Sequence, residues 1–184
     1  MVHELAYKIT SEISLSLNAV EENKIAELVQ SILKANRIVV CGAGRVGLAC
    51  KGFAMRLGHL GKTAFAPGDS TIPRIGEGDL LILGSSSGET QTVYDVAVLA
   101  KKNGAHVVLI TANQDSRMGE IAHSIIFLKT PTKFGPMDGN HSVQPMATLF
   151  EQCLQILFDI VVLLLMKDTR QTHDDLWARH SNVD

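Results

Sequence analysis

The stretch Arg37-Ile-Val-Val-Cys41-Gly-Ala-Gly44-Arg-Val-Gly47 decides the fold. Four apolar residues without polar alternation run into a glycine-rich turn, and a helical pattern over 48–60 follows, with Gly61 as its stop. A strand that is apolar at every position is buried on both faces, the condition of a parallel sheet covered by helices on each side. The same unit recurs downstream. Strands are predicted at 63–66 and at 79–83, the latter entering Gly84-Ser-Ser-Ser-Gly88 and a helix to 102, then at 106–110 with a short helix at 118–122, and at 124–128. Upstream, Leu5, Ile9, Ile13 and Leu17 mark one amphipathic helix, and Ile25, Leu28, Val29, Ile32 and Leu33 a second. The segment 130–142 carries Pro131, Gly135, Pro136 and Gly139 and reads as a long loop. A last helix is expected to hold Pro145 in its first turn and to end near Met166.

The 184 residues, 46% hydrophobic and 20% charged, suffice for one domain with a sizeable core. A single α/β domain over 1–184 is therefore expected, with N-terminal helices over 1–35 and a polar tail over 168–184. Seventeen basic against nineteen acidic residues exclude the basic surface of a nucleic-acid or anionic-membrane binder. Cys41, Cys50 and Cys153 are widely spaced among apolar neighbours and read as buried thiols of a reduced, cytoplasmic protein. No histidine or cysteine spacing supplies a metal site. His3, Glu4, Lys8 and Glu12 interrupt the apolar residues of the N-terminus, which lacks a signal-peptide core. The apolar run 154–166 contains Asp159 and is shorter than the roughly 20 residues that span a bilayer, so a buried helix is expected.

In an open parallel sheet, ligands settle at the carboxyl ends of strands where the chain order reverses. Two loops there have unusual composition. Gly42-Ala-Gly44-Arg-Val-Gly47 matches GxGxxG between strand and helix, the dinucleotide fingerprint. That fingerprint also needs an acidic residue about 20 positions on, at the end of the second strand. Here the strand ends Phe65-Ala66-Pro67 with Asp69 only nearby, and the glycines equally read as allowing backbone and helix to approach. Ser85-Ser86-Ser87-Gly88-Glu89-Thr90 carries more information. Four hydroxyls enter a helix N-terminus, whose amides and dipole favour an anion, so phosphate binding is expected; a helix cap accounts for one of them. Glu89 would repel that anion if it faced it, and is otherwise a favourable first-turn charge.

The combination of CGAGRVG with SSSGET resembles the sugar isomerase (SIS) domain family of phosphosugar isomerases and phosphosugar-binding regulators. GAGRVGLACKGFAMRLGHLG, EGDLLILGSSSGET, QPMATLFEQ and RHSNVD together are similar to its 6-phospho-3-hexuloisomerase branch. The resemblance implies a flavodoxin-like three-layer αβα sandwich around a five-stranded parallel sheet, and a homo-oligomer, dimer or tetramer. It implies interconversion of D-arabino-3-hexulose 6-phosphate and fructose 6-phosphate, within the ribulose monophosphate pathway of formaldehyde fixation. Ser85, Ser87 and Thr90 would then bind the phosphate, with Gly44 and Arg45 of the first loop beside them. Val46 stands where SIS proteins often have serine, a lost hydroxyl for which the Arg45 cation can compensate.

Moving a carbonyl between adjacent carbons needs a base that takes a proton from carbon 2 to give an enediol and returns one at carbon 3. No metal or redox cofactor is intrinsically required. Glu151 is the expected base: its helical neighbours Ala147, Thr148, Leu154 and Gln155 mix apolar and polar as a pocket wall does, and QPMATLFEQ places it at the family position. The competing reading is a structural ion pair. A histidine suits proton transfer between the two oxygens. His59, which could instead complement the negative end of its helix, and His180, in the tail, are the candidates. Trp177, the single tryptophan, marks the tail as a docking segment, and the resemblance implies that it reaches a neighbouring subunit's active site. Two other functions stay open: a non-catalytic phosphosugar-binding regulator, and an NAD-dependent oxidoreductase using the first glycine loop.

Overall fold

Five parallel strands, β1 (Ile38–Cys41), β2 (Ala64–Phe65), β3 (Leu80–Gly84), β4 (His106–Thr111) and β5 (Ser124–Phe127), form one sheet in the order β2-β1-β3-β4-β5. The structure, a computed structural model, describes residues 1–135 and 141–183. The helices are α1 (Val2–Asn18), α2 (Glu22–Lys34), α3 (Gly44–His59), α4 (Gln91–Lys102), α5 (Arg117–Ile121), α6 (Thr148–Thr169) and α7 (His173–Trp177). Successive strand residues point to opposite faces. Ile38, Val40, Leu80, Ile82, Val108 and Ile110 therefore pack on one side with α2, α3 and α6, while Val39, Cys41, Leu81, Leu83, Val107 and Leu109 pack on the other with α4 and α5. The result is the expected αβα sandwich. Its strand order places the reversal between β1 and β3, where a ligand crevice opens at the carboxyl ends.

Parallel helices α3 and α6 stack Phe53 on Phe158 at 4.2 Å between ring centroids. Gly61 closes α3 as read from sequence, at φ +80 with Lys62 N–H donating to the Leu57 carbonyl. Two expectations need correction. The last helix is not too short for a bilayer: α6 has 22 residues and is long and apolar enough by length and composition, but half of its most apolar window is buried in the fold, as in a core helix. Pro145 lies before that helix, because Met146 takes a left-handed φ of +55 and the helix starts only at Thr148. The tail, polar in composition, is ordered: Thr172 and Asp175 form a capping box for α7, and Leu176 is buried against the core. In α1 the apolar stripe is half used, since Ile13 and Leu17 pack on the core while Leu5 stays exposed. All three cysteines are free and buried, and burial pushes their thiols up, to about 11 for Cys41 and Cys153 and about 12 for Cys50.

Candidate active site

At the carboxyl ends of β1 and β3, side chains pack so closely that only glycine fits beneath them. A Cβ on Gly42 would crowd Val46 Cγ1 and Cys50 Sγ at 2.8 and 2.9 Å, one on Gly84 would crowd Val46 Cγ1 and Leu154 Cδ2 at 2.8 and 2.9 Å, and one on Gly47 the Gly42 carbonyl oxygen at 2.8 Å. The first glycine loop is thus accounted for by close packing of strand and helix. Val46 is the wedge between the two strand ends, buried in the core, so its lack of a hydroxyl is absorbed by packing. The same contacts bring Val46 of α3 and Leu154 of α6 to the end of β3, where the serine loop begins.

Ser85, Ser86 and Ser87 are all buried. Gly88, at φ +67, turns the loop so that its N–H donates to the Ser85 hydroxyl and carbonyl oxygens, at 3.2 Å each. Glu89 N–H donates to Ser87 Oγ at 3.3 Å, and Ser85 Oγ lies 3.4 Å from Thr90 Oγ1. Thr90 is the N-cap residue of α4, yet its hydroxyl makes no cap bond. The first turn of α4 is therefore left without a side-chain cap beside a loop of hydroxyls, an arrangement suited to an anion. Glu89 is turned aside: its carboxylate accepts from the Arg117 backbone N–H at 2.9 Å and from Arg117 Nε at 2.7 Å, contacts that hold it below the ordinary carboxylate range. Arg117 in turn lies over the Tyr94 ring. Asn113, missed by the sequence reading, donates its amide to the Ser87 carbonyl at 3.1 Å and steadies the loop from β4.

Glu151, in the first turn of α6, is half-buried and places Oε2 2.6 Å from Arg45 Nε of α3, whose side chain is 66% exposed. The guanidinium N–H does not aim at that oxygen, which has no hydrogen-bond partner among the described residues. Gln152 Oε1 and Thr130 Oγ1 are likewise buried without partners. Two of the three expected catalytic groups lie elsewhere. His59 is buried at the far end of α3, its Nδ1 3.2 Å from Arg56 Nη1 and its ring 5.1 Å from that of His180, which stacks on Trp177. Arg179 and Gln171 fasten this cluster to the His59 and Leu60 carbonyls. Fourteen residues of helix separate Arg45 from His59, roughly 21 Å. One chain thus pairs Arg45 with Glu151, Ser85 with Thr90 in the serine loop, and His59 with His180 at the other end of α3. No cluster of metal-ligating side chains occurs among the described residues.

The family described as SIS domain matches residues 31–161. The chain is 35% identical over 181 residues to a 3-hexulose-6-phosphate isomerase of Bacillus subtilis, covering 98% of both chains. It is 36% identical to the protein of that name from Mycobacterium gastri, covering 96% of this chain and 88% of the other. A crystal structure from Methanococcus jannaschii, reported with an inferred molecular function of 3-hexulose-6-phosphate isomerase, superimposes with a TM-score of 0.85 at 32% identity, covering 98% of this chain and 99% of that one. The chain belongs to the SIS domain family.

Proposed function

We propose that this chain is a phosphosugar isomerase that interconverts D-arabino-3-hexulose 6-phosphate and fructose 6-phosphate. The observation that carries the reading is the Glu151 carboxylate oxygen, buried without a hydrogen bond beside a largely exposed guanidinium, on the helix whose Leu154 packs against Gly84 at the end of β3. Ser85, Ser87, Thr90 and the α4 amides hold the phosphate. Arg45, with solvent room to turn, follows the incoming oxygens, and Gly44 leaves its end of the first loop open. Glu151 takes the proton from carbon 2, the electrons of that C–H bond form the 2,3-enediol as the carbon-3 carbonyl gains a proton on oxygen, and the same carboxyl returns a proton to carbon 3 while the carbon-2 hydroxyl loses its own. His59 and His180 suit the oxygen-bound protons. Their distance from Glu151 of the same chain supports a homo-oligomer in which they serve a neighbouring subunit. Relatives named for this isomerisation support the substrate, and the buried free thiols are in keeping with a cytoplasmic setting.

The test is a coupled assay in which 3-hexulose 6-phosphate is generated in place and fructose 6-phosphate detected. Glu151→Gln should lose about 100-fold or more in turnover, the usual worth of a general base, while binding fructose 6-phosphate within threefold of the parent. An unmodified protein that binds the ester without turning it over is a regulator. Binding of NAD in place of the ester would sink the isomerase reading.

A further inference from the structure

Helix α1 is remote in sequence from both glycine-rich loops, yet one of its faces is bonded to the exit of β5 and to the segment that leads into α6 and Glu151. Glu12 Oε1 accepts from the Val143 N–H at 2.8 Å, and Oε2 accepts from Ser142 Oγ at 2.6 Å and Gln144 Nε2 at 3.3 Å. One helical turn on, buried Ser16 donates to the Lys129 carbonyl at 3.1 Å, just past β5. Residues at i and i+4 share a helix face, so one side of α1 ties the exit of β5 to the entry of α6. From Gln144 the chain passes through Pro145 and the left-handed Met146 into the first turn of α6, where Glu151 sits seven residues beyond the last bond to Glu12. A non-glycine residue at positive φ persists only where its surroundings hold it there. The ordinary pattern, a surface glutamate on a solvated face, does not account for a carboxylate that receives three donors from a loop 130 residues away. Burial works to raise the Glu12 pKa, but the bonds from Ser142, Val143 and Gln144 outweigh it and keep the group ionised below the ordinary carboxylate range.

We infer that Glu12 is a positioning residue: by clamping residues 142–144 it fixes the first turn of α6 and thereby the Glu151 carboxylate over the crevice. The inference rests on Glu151 acting as the base, and adds that α1 is part of the catalytic scaffold. Glu12 touches no substrate, and the hydroxyl loop hangs from β3 and β4 rather than from α1. Loss of the clamp should therefore lower kcat and leave binding of the ester unchanged.

The experiment compares Glu12→Ala, Glu12→Gln and Ser142→Ala with the parent in the coupled assay, by fructose 6-phosphate calorimetry and by amide hydrogen exchange over 147–153. Glu12→Ala is expected to lower kcat at least tenfold with ester affinity within twofold, and to speed exchange in that segment. Glu12→Gln, which keeps an acceptor, should recover most of the loss, and Ser142→Ala should fall between. If Glu12→Ala fails to fold, the other two variants decide the matter by the same readouts. Unchanged kcat and exchange in these variants, or a parallel loss of kcat and affinity, would overturn the inference. A parent protein without turnover refutes the isomerase reading instead, and hydrogen exchange then decides the clamp alone: unaltered protection over 147–153 overturns it.

Discussion

Substituting Gly88 by alanine tests the hydroxyl loop at its tightest point. Gly88 holds φ +67, and a Cβ there would overlap the Ser116 side chain. Two costs add. A non-glycine residue in the left-handed region costs roughly 1–2 kcal/mol. Clearing the overlap requires Ser116 to turn, and its hydroxyl oxygen accepts from the Gly119 N–H at 3.2 Å, capping α5, while it donates to the Asn113 carbonyl at 3.0 Å. Losing such a cap costs about 1 kcal/mol. The variant should thus lose about 2–3 kcal/mol, read as a lower urea midpoint at unchanged slope. Function follows because the Gly88 N–H organises Ser85, so fructose 6-phosphate affinity by calorimetry should fall at least tenfold. A variant within about 0.5 kcal/mol of the parent, the range of an ordinary surface change, would refute the geometric argument. One destabilised as expected but binding the ester normally would refute phosphate binding at this loop.

Asp79 is buried and accepts from Arg37 Nε and Nη2 at 3.0 and 2.8 Å and from the Gly76 N–H, joining the starts of β1 and β3. Asp79→Ala should cost about 2–3 kcal/mol in urea unfolding, less than the ~3–5 kcal/mol of a fully buried pair because Arg37 is 38% exposed; a cost below about 1 kcal/mol would remove the pair from any account of the fold. His123 is held below the ordinary histidine range by burial, with the charges of His106 and Lys101 adding to it, and its Nδ1 accepts from the Val107 N–H. A lowered folded pKa means its stabilisation is complete above the unfolded value, about 6.5, and disappears as pH falls through the folded one. Urea midpoints of the parent and His123→Gln should therefore converge on acidification from pH 7.5, and parallel curves would refute the claim. If the histidines serve a neighbouring subunit, mixed oligomers of Glu151→Gln and His180→Ala should recover activity that neither parent variant has; mixtures no better than their components would confine the site to one chain.

How much of this was legible in the sequence depends on the range of the interactions. The wholly apolar strands announced a doubly covered sheet, and Gly61 announced the end of α3, because burial on two faces and a left-handed stop are properties of a few adjacent residues. The serine loop was legible for the same reason: hydroxyls, glycine and helix start are contiguous. Interactions across the fold were not. Arg117 neutralises Glu89 from 28 positions away, and nothing near SSSGET signals it. Glu12 and Ser142 are 130 positions apart. The periodicity of α1 gave an apolar stripe but not which half of it meets a core. His59 and His180 were each singled out by local context, and only the docking of α7 on the end of α3 reveals that they form one cluster.

On the proposed reading of Glu151 as the base, the charges around it give substrate a way to switch that base on. Glu89 is neutralised by Arg117 and Glu151 by Arg45, so both carboxylates carry paired charges beside neutral hydroxyls and the α4 amides. For a phosphate dianion entering that field, a guanidinium with room to turn toward it is Arg45, two-thirds exposed and paired with Glu151 without hydrogen-bond alignment. Glu89 is a poor rival for such a move, because Arg117 holds it through backbone, guanidinium and the Tyr94 ring together. Transfer of Arg45 from carboxylate to substrate would exchange one misaligned ion pair for a charge-assisted bond to oxygen, and leave the Glu151 oxygen facing the sugar with its lone pairs open. The same exchange would let a loop of uncharged serines hold a phosphate, the cation it needs being lent by the proposed base.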